Sequence, residues 1–274
     1  MQTIRVALIQ CRSPAVQQAA IDQVTPLIKK SHEDGAKWVF LPEACNLMEQ
    51  RTLQKQALVK SMTEDCFVIA MRKLAKSLSI NLGLGSVIVQ SDQAGLSANR
   101  SLMINHYGEI IASYDKIHLF DVDTPDGKSY RESQTIKPGD RATIAEIDTI
   151  KLGLSICYDV RFAALYRYLA QNDAHIMMVP AAFTVPTGKG HWEVLLRARA
   201  IETGAFVLAA AQGGLHEDGR VTYGHSMIVN PWGEVIARLD HDEPGVLVAD
   251  LQLDEVMKAR HLIPQLKHDR PISL

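Results

Sequence analysis

The chain has 274 residues, 47% of them hydrophobic and 22% charged, and its 29 Lys and Arg against 31 Asp and Glu leave a formal charge of −2. That is a globular composition with material for a large core, and the near-neutral balance without a basic run argues against nucleic acid or an anionic membrane as partner. Its longest apolar runs fall far short of the ~20 residues that cross a bilayer.

In chain order, alternation over residues 4–10 predicts a strand, an apolar face over 15–34 a helix, and Trp38-Val39-Phe40-Leu41 a buried strand stopped by Pro42. A second helix is expected over 63–79, then strands over 81–90, 100–105 and 110–114, the last two joined by the turn His106-Tyr107-Gly108-Glu109. Residues 121–140 are polar and aperiodic, as in a functional loop or a linker. The order then repeats: strands over 143–147 and 151–156, a helix over 162–172, and a strand over 175–179 ending at Pro180. A helix over 191–203, strands over 206–211, 226–230, 234–239 and 246–250, a helix over 254–262 and a polar tail follow. No linker composition divides the chain. The pattern predicts one α/β domain over 1–274, with a core of about 3–252 and a C-terminal helix and tail over 253–274. Its architecture is a four-layer α-β-β-α sandwich of two mixed sheets face to face with helices outside. The opening Met1-Gln2-Thr3-Ile4-Arg5 lacks the regions of a signal peptide, so a cytoplasmic protein is expected.

The cysteines, Cys11, Cys45, Cys66 and Cys157, form neither a disulfide framework nor a metal-ligand spacing, so each reads first as a small hydrophobe and no metal is expected. Cys157 departs from that reading, because it follows an apolar strand and precedes a helix expected near Arg161. Outward N–H groups there favour negative charge and should bring a thiol toward neutrality. Two other reactive side chains also follow apolar strands, Glu43 and Lys116, and strand ends are where α/β folds collect their sites. Each alone also reads as a solvated carboxylate or a surface cation. A thiol needs a base, and a carboxylate serves if burial raises its pKa. A Glu/Lys/Cys set is therefore chemically coherent, although spacing does not select it from the other acids, lysines and histidines.

Three words turn this into a family resemblance: Phe40-Leu41-Pro42-Glu43, Tyr114-Asp115-Lys116-Ile117-His118-Leu119-Phe120, and Gly153 to Phe162, GLSICYDVRF. With Arg131-Glu132-Ser133, Thr135 and Pro138-Gly139 they resemble the nitrilase superfamily of carbon-nitrogen hydrolases over nearly the whole chain. The words from His191 to Glu202, Tyr223 to Met227, Asn230 to Gly233 and His261 to Pro271 are similar to its Nit branch, and there to the deaminated glutathione amidases. Two departures from the common pattern stand out, Ala163-Ala164 in place of Pro-Glu and Cys45 in place of an aromatic residue, which suggests an altered pocket.

The resemblance implies Cys157 as nucleophile, Glu43 as general base and acid, and Lys116 with the Tyr158 N–H as oxyanion donors. Glu132 is implied as the orienter of Lys116, against the alternative of a solvated loop carboxylate. No cofactor is implied. The partner would be a small-molecule amide, and the family's habit suggests a homodimer. Arg161 matches a position that meets a substrate carboxylate, with a salt bridge to Asp159 as the competing reading; Phe183 and Thr187, on the loop after Pro180, match pocket positions. Trp192 and His191 read as packing around the site. An ω-amidase acting on α-ketoglutaramate or α-ketosuccinamate is the nearest alternative, followed by an N-carbamoyl amino acid amidohydrolase. A binding protein on this fold would have lost a catalytic residue, and a zinc hydrolase would need a His/Asp cluster. A nucleotide site could cite Gly83-Leu84-Gly85, but that lacks a third glycine.

Overall fold

The computed structural model describes residues 2–49 and 51–271, the side chains of 52 and 53 apart. Met1 and the last three residues of the expected tail lie outside the described residues. The first half runs β1 (Thr3–Gln10), α1 (Gln17–Glu33), β2 (Trp38–Phe40), α2 (Thr52–Leu58), α3 (Cys66–Leu78), β3 (Asn81–Gln90), β4 (Ser97–Ile104) and β5 (Ile110–Asp115). After β6 (Asp121–Asp123) and β7 (Ser129–Arg131) the second half runs β8 (Thr143–Ile147), β9 (Ile150–Leu154), α4 (Ala163–Gln171), β10 (Ile176–Met178), α5 (Val185–Thr203) and β11 (Phe206–Ala209). A short hairpin, β12 (Gly213–Leu215) and β13 (Val221–Tyr223), precedes β14 (Met227–Val229), β15 (Val235–Arg238), β16 (Gly245–Gln252) and α6 (Asp254–Leu262).

Two mixed sheets result, in the orders β16-β1-β2-β3-β4-β5 and β8-β9-β10-β11-β14-β15. In each, three parallel strands are flanked by one antiparallel strand on one side and two on the other. The internal repeat read from the sequence is thus a repeat of topology. The position that β8 fills in the second sheet is filled in the first by β16, from the end of the chain.

Strand alternation sorts the core into layers. Val6, Leu8, Trp38 and Phe40 join Leu152, Leu154 and Met178 of the second sheet. Their neighbours Ala7, Ile9, Val39 and Leu41 instead pack under Val24 and Ile28 of α1 and Phe67 and Met71 of α3. Leu165 and Leu169 of α4 and Trp192 and Leu196 of α5 cover the second sheet. Each such side chain contributes about 1.5–3 kcal/mol on full burial, which makes this burial the dominant force. The α-β-β-α sandwich expected from the pattern is the fold observed.

Gly83 and Gly85 are packing residues. A Cβ at Gly83 would stand 2.8 Å from Met178 Cε across the sheets, and one at Gly85 would stand 2.0 Å from the Leu41 carbonyl and 2.4 Å from Pro180 Cβ. The two strand-ending prolines therefore meet over Gly85.

Three expectations change. Residues 121–140 are not structureless: β6 and β7 pair, and a 3-10 turn, Glu132–Gln134, follows. Local side-chain bonds such as Thr124 Oγ1 to the Lys128 carbonyl replace the missing apolar pattern. Helix α2 has no side-chain N-cap and was not anticipated. Helix α5 begins six residues early, at Val185, because Pro186 is tolerated in a first turn, while Gly188 and Gly190 hide the helical period. No described helix is long and apolar enough to cross a membrane.

Candidate active site

Glu43 follows β2, Lys116 follows β5 and Cys157 follows β9, and the packing of the sheets brings these three exits to one point. Cys157 opens a 3-10 turn, Cys157–Arg161, with φ of 50°, a left-handed conformation unusual for a side-chain-bearing residue. Its N–H donates to the Pro180 carbonyl at 2.8 Å, which fixes the bend to the exit of the neighbouring parallel strand β10. One oxygen of Glu43 accepts from Lys116 Nζ and from Asn99 Nδ2, each at 2.9 Å, and the other from the Ala182 N–H at 2.9 Å. The Cys157 thiol lies close enough to Glu43 for the carboxylate to act on its ionisation. Lys116 Nζ also donates to Glu132 at 2.8 Å, and Glu132 accepts from the Phe120 N–H at 2.7 Å and from Asn99 Nδ2 at 3.1 Å. Lys116, Glu43 and Cys157 are 2%, 6% and 7% exposed, so these bonds act with little competition from water.

The charges follow from that burial. Burial pushes Glu43 up, but the Lys116 ammonium, with help from Cys157 and Asn99, brings it below the ordinary carboxylate value. Burial disfavours the Lys116 ammonium, yet Glu132 and Glu43 hold it well above the usual lysine range. For Cys157, burial and the Glu43 carboxylate raise the thiol well above its usual value, against the opposing pull of Lys116 and the Ala182 N–H. Two sequence expectations are thereby corrected. Glu43 is lowered rather than raised, and Cys157 rests as a thiol rather than a near-neutral thiolate, because a buried carboxylate outweighs the ends of a short turn. What the arrangement offers is a thiol beside its base and an ammonium that stays charged. The Tyr158 N–H, in the first turn after the bend, makes no backbone hydrogen bond among the described residues.

A cavity of about 240 Å³ opens over these groups, lined among others by Glu132, Tyr158, Phe183, Thr187, Lys55 and Arg220. Thr187 stands on the first turn of α5 rather than on a loop, its hydroxyl 2.8 Å from that of Thr184. Arg161 does not line the cavity. Its guanidinium lies 5.8 Å from the Tyr158 ring centroid and 5.7 Å from that of Phe183, with one nitrogen 3.2 Å from His191 Nδ1. The alternative salt bridge to Asp159 fails too. Asp159 is fully buried and accepts from Tyr114 Oη at 2.7 Å and from the N–H groups of Ile156 and His118 at 2.8 and 3.0 Å, with His118 Nδ1 at 2.7 Å. It ties the Cys157 turn to the Lys116 segment. Trp192 is buried and donates to the His225 carbonyl.

Neither departure from the family pattern touches the cavity. Ala163 and Ala164 are exposed at the start of α4, and Cys45 is buried behind the first sheet with its thiol on the Ser86 carbonyl. Asn99, which bridges both carboxylates through one amide nitrogen, was missed, as were Lys55 and Arg220; a lone Asn on a strand and single cations give no sequence signal. All four cysteines are free, and no group of three His, Cys, Asp or Glu among the described residues is arranged to hold a metal.

A family model described as carbon-nitrogen hydrolase matches residues 5–261. The chain belongs to the carbon-nitrogen hydrolases. The deaminated glutathione amidase of Dictyostelium discoideum is 42% identical over 97% of this chain and 94% of its own length. Among solved structures, the Caenorhabditis elegans NitFhit protein superposes with a TM-score of 0.90 at 35% identity, covering 98% of this chain. The chain spans 65% of that longer protein. An amidase from Nesterenkonia sp. AN1, in a glutamate-to-glutamine variant with acrylamide added at its active site cysteine, gives 0.78 at 27% identity, over 96% and 98% of the two chains. This carbon-nitrogen hydrolase is accordingly a cysteine-dependent amidase of the Nit branch of the nitrilase superfamily.

Proposed function

We propose that Cys157, Glu43 and Lys116 hydrolyse an amide carbon-nitrogen bond through a thioester, with deaminated glutathione as the substrate. The observation that carries this reading is the bond from the Lys116 ammonium to Glu43 with the Cys157 thiol beside them, all three lining one cavity. As the sulfur attacks the amide carbonyl carbon, Glu43 takes the thiol proton. The carbonyl oxygen gains the negative charge and is met by Lys116 Nζ and the Tyr158 N–H, donors already aimed and dry. Glu43 returns the proton to the departing nitrogen, the amine leaves (a peptide amine from deaminated glutathione, ammonia from a primary carboxamide), and the thioester remains. Water then attacks the thioester with Glu43 again accepting a proton, which passes to the sulfur as the carboxylic acid is released. Glu132 matters when Glu43 is neutral: it leaves Lys116 with one counter-ion, so the ammonium keeps its charge while the oxyanion forms.

Phe183 and Thr187 shape the wall of the cavity, and Arg161, one layer out, holds the Tyr158 and Phe183 rings. The relatives named deaminated glutathione amidase support the choice of substrate. A steady-state panel of deaminated glutathione, α-ketoglutaramate, an N-carbamoyl amino acid and a nitrile, read by substrate consumption, tests it. Deaminated glutathione should give the highest kcat/KM; a higher value for α-ketoglutaramate would make the protein an ω-amidase. The protein acts as a homodimer in this reading. Supporting it, Val194 and Ile201 of α5, Trp232, and Leu262 of α6 are large apolar side chains more than half exposed on the outside of the second sheet.

A further inference from the structure

We propose that Lys55 and Arg220 form a subsite for a carboxylate at the far end of the substrate; this deepens the amidase reading above and rests on it. Among the described residues four cations line the cavity, Lys55, Lys116, Arg131 and Arg220. Lys116 is engaged by Glu43 and Glu132, and Arg131 turns to Asp123 and to the carbonyls of Val122 and Tyr130. The other two have no counter-ion among the described residues. Lys55, on α2, makes no ion pair or side-chain hydrogen bond there. Arg220, before β13, has its Nε buried without a partner, and one terminal nitrogen reaches only the Met48 sulfur, at 3.4 Å.

Among the described residues no acid lies at ion-pair distance from either. Glu49 accepts from the Arg51 backbone and Nε at 2.8 Å each, and Asp218 accepts from the backbone N–H of Arg220 rather than its guanidinium. Holding Lys55 beside a second cation, partly out of water, works against its charge: burial lowers the ammonium, Glu132 answers only part of that, and Arg220 lowers it further. A carboxylate seated between them would take charge-assisted bonds from each and offset that cost.

Exposure grades along the cavity, from the buried Glu43, Lys116 and Cys157 to the half-buried Lys55 and Arg220. An amide carbonyl at Cys157 with its chain running outward would therefore end at the pair. The substrate class is a half-amide of a dicarboxylic acid, or a longer amide ending in a carboxylate, rather than a simple aliphatic amide or nitrile.

The test measures ammonia release from succinamate, glutaramate and adipamate, each against its methyl ester. For the chain length that fits, kcat/KM should favour the acid at least tenfold. Lys55→Met and Arg220→Met should each cut that acid-to-ester ratio by tenfold or more, mostly through KM, and Lys55→Arg should largely restore it. A ratio unmoved by both substitutions, or a loss shared equally by acid and ester, would overturn the subsite while leaving the amidase standing. A second arm, titration calorimetry of glutarate into Cys157→Ala, separates the two ideas. Binding that weakens with Lys55→Met, while the protein with Cys157 intact turns over none of the amides, would keep the subsite and reject the amidase; no binding and no preference for the acid would reject the subsite.

Discussion

A lysine flanked by two carboxylates keeps its proton when one of them is neutralised, and that property makes Lys116 more than a surface cation. Lys116→Met retains the length of the side chain and deletes the charge. Turnover should fall by about 10²-fold or more in kcat, the usual cost of an oxyanion donor; a change confined to KM would mean that Lys116 only binds. Glu43→Gln should be comparably severe, because the thiol of Cys157 rests protonated and has no other base in contact. A second expectation concerns pH. Lys55, facing Glu132, Glu43, Lys116 and Arg220, is lowered to about 8. Raising the pH through 8 removes its charge, so kcat/KM for a carboxylate-bearing amide should decline on a limb near 8 that its neutral ester lacks. In Lys55→Arg the limb should vanish, because a guanidinium stays protonated; its persistence would assign the limb to another group.

At the scale of elements, the site is made by strand exits rather than by any one strand. Asp159 locks two of them, accepting from Tyr114 after the fashion of a latch on the Lys116 segment and from Ile156 beside Cys157. Asp159→Asn puts an amide NH2 where one carboxylate oxygen accepts, and bonds to a buried charge are worth roughly 1.5–3 kcal/mol each. Urea unfolding should show a loss of about that size, with kcat falling because Cys157 and Lys116 lose their common anchor. An unchanged unfolding midpoint would remove Asp159 from that role. The third exit depends on Gly85. Gly85→Ala drives a Cβ against the carbonyls of Leu41 and Pro42, which are backbone and cannot rotate away. Overpacking of this kind costs about 1–3 kcal/mol, and the displaced strand end carries Glu43, so stability and turnover should drop together.

On the scale of the molecule, two sheets of matching topology pack so that each contributes to one cavity, while α5 and α6 carry apolar side chains outward. Sedimentation should give twice the 30.3 kDa of the chain, and Ile201→Arg, beside the Trp232 turn, should give the monomer; a monomer in the unmodified protein would leave those side chains as ordinary surface. Much of this whole was legible in the sequence. Alternating strands and helices, with short apolar runs ended by proline in each half, pointed to the sandwich and its repeat, because a strand buried on both faces shows itself as an apolar run within its own few residues. The words around Glu43, Lys116 and Cys157 identified the family. What only the tertiary structure decided lies between segments distant in the chain. Asn99 under two carboxylates, Asp159 bonded to Tyr114 and His118 instead of Arg161, Arg161 behind aromatic rings, and Lys55 facing Arg220 all depend on distances that no local pattern encodes. The charge states of Glu43 and Cys157 were decided there too, since a pKa answers to burial and neighbouring charge, and both exist only once the sheets have closed.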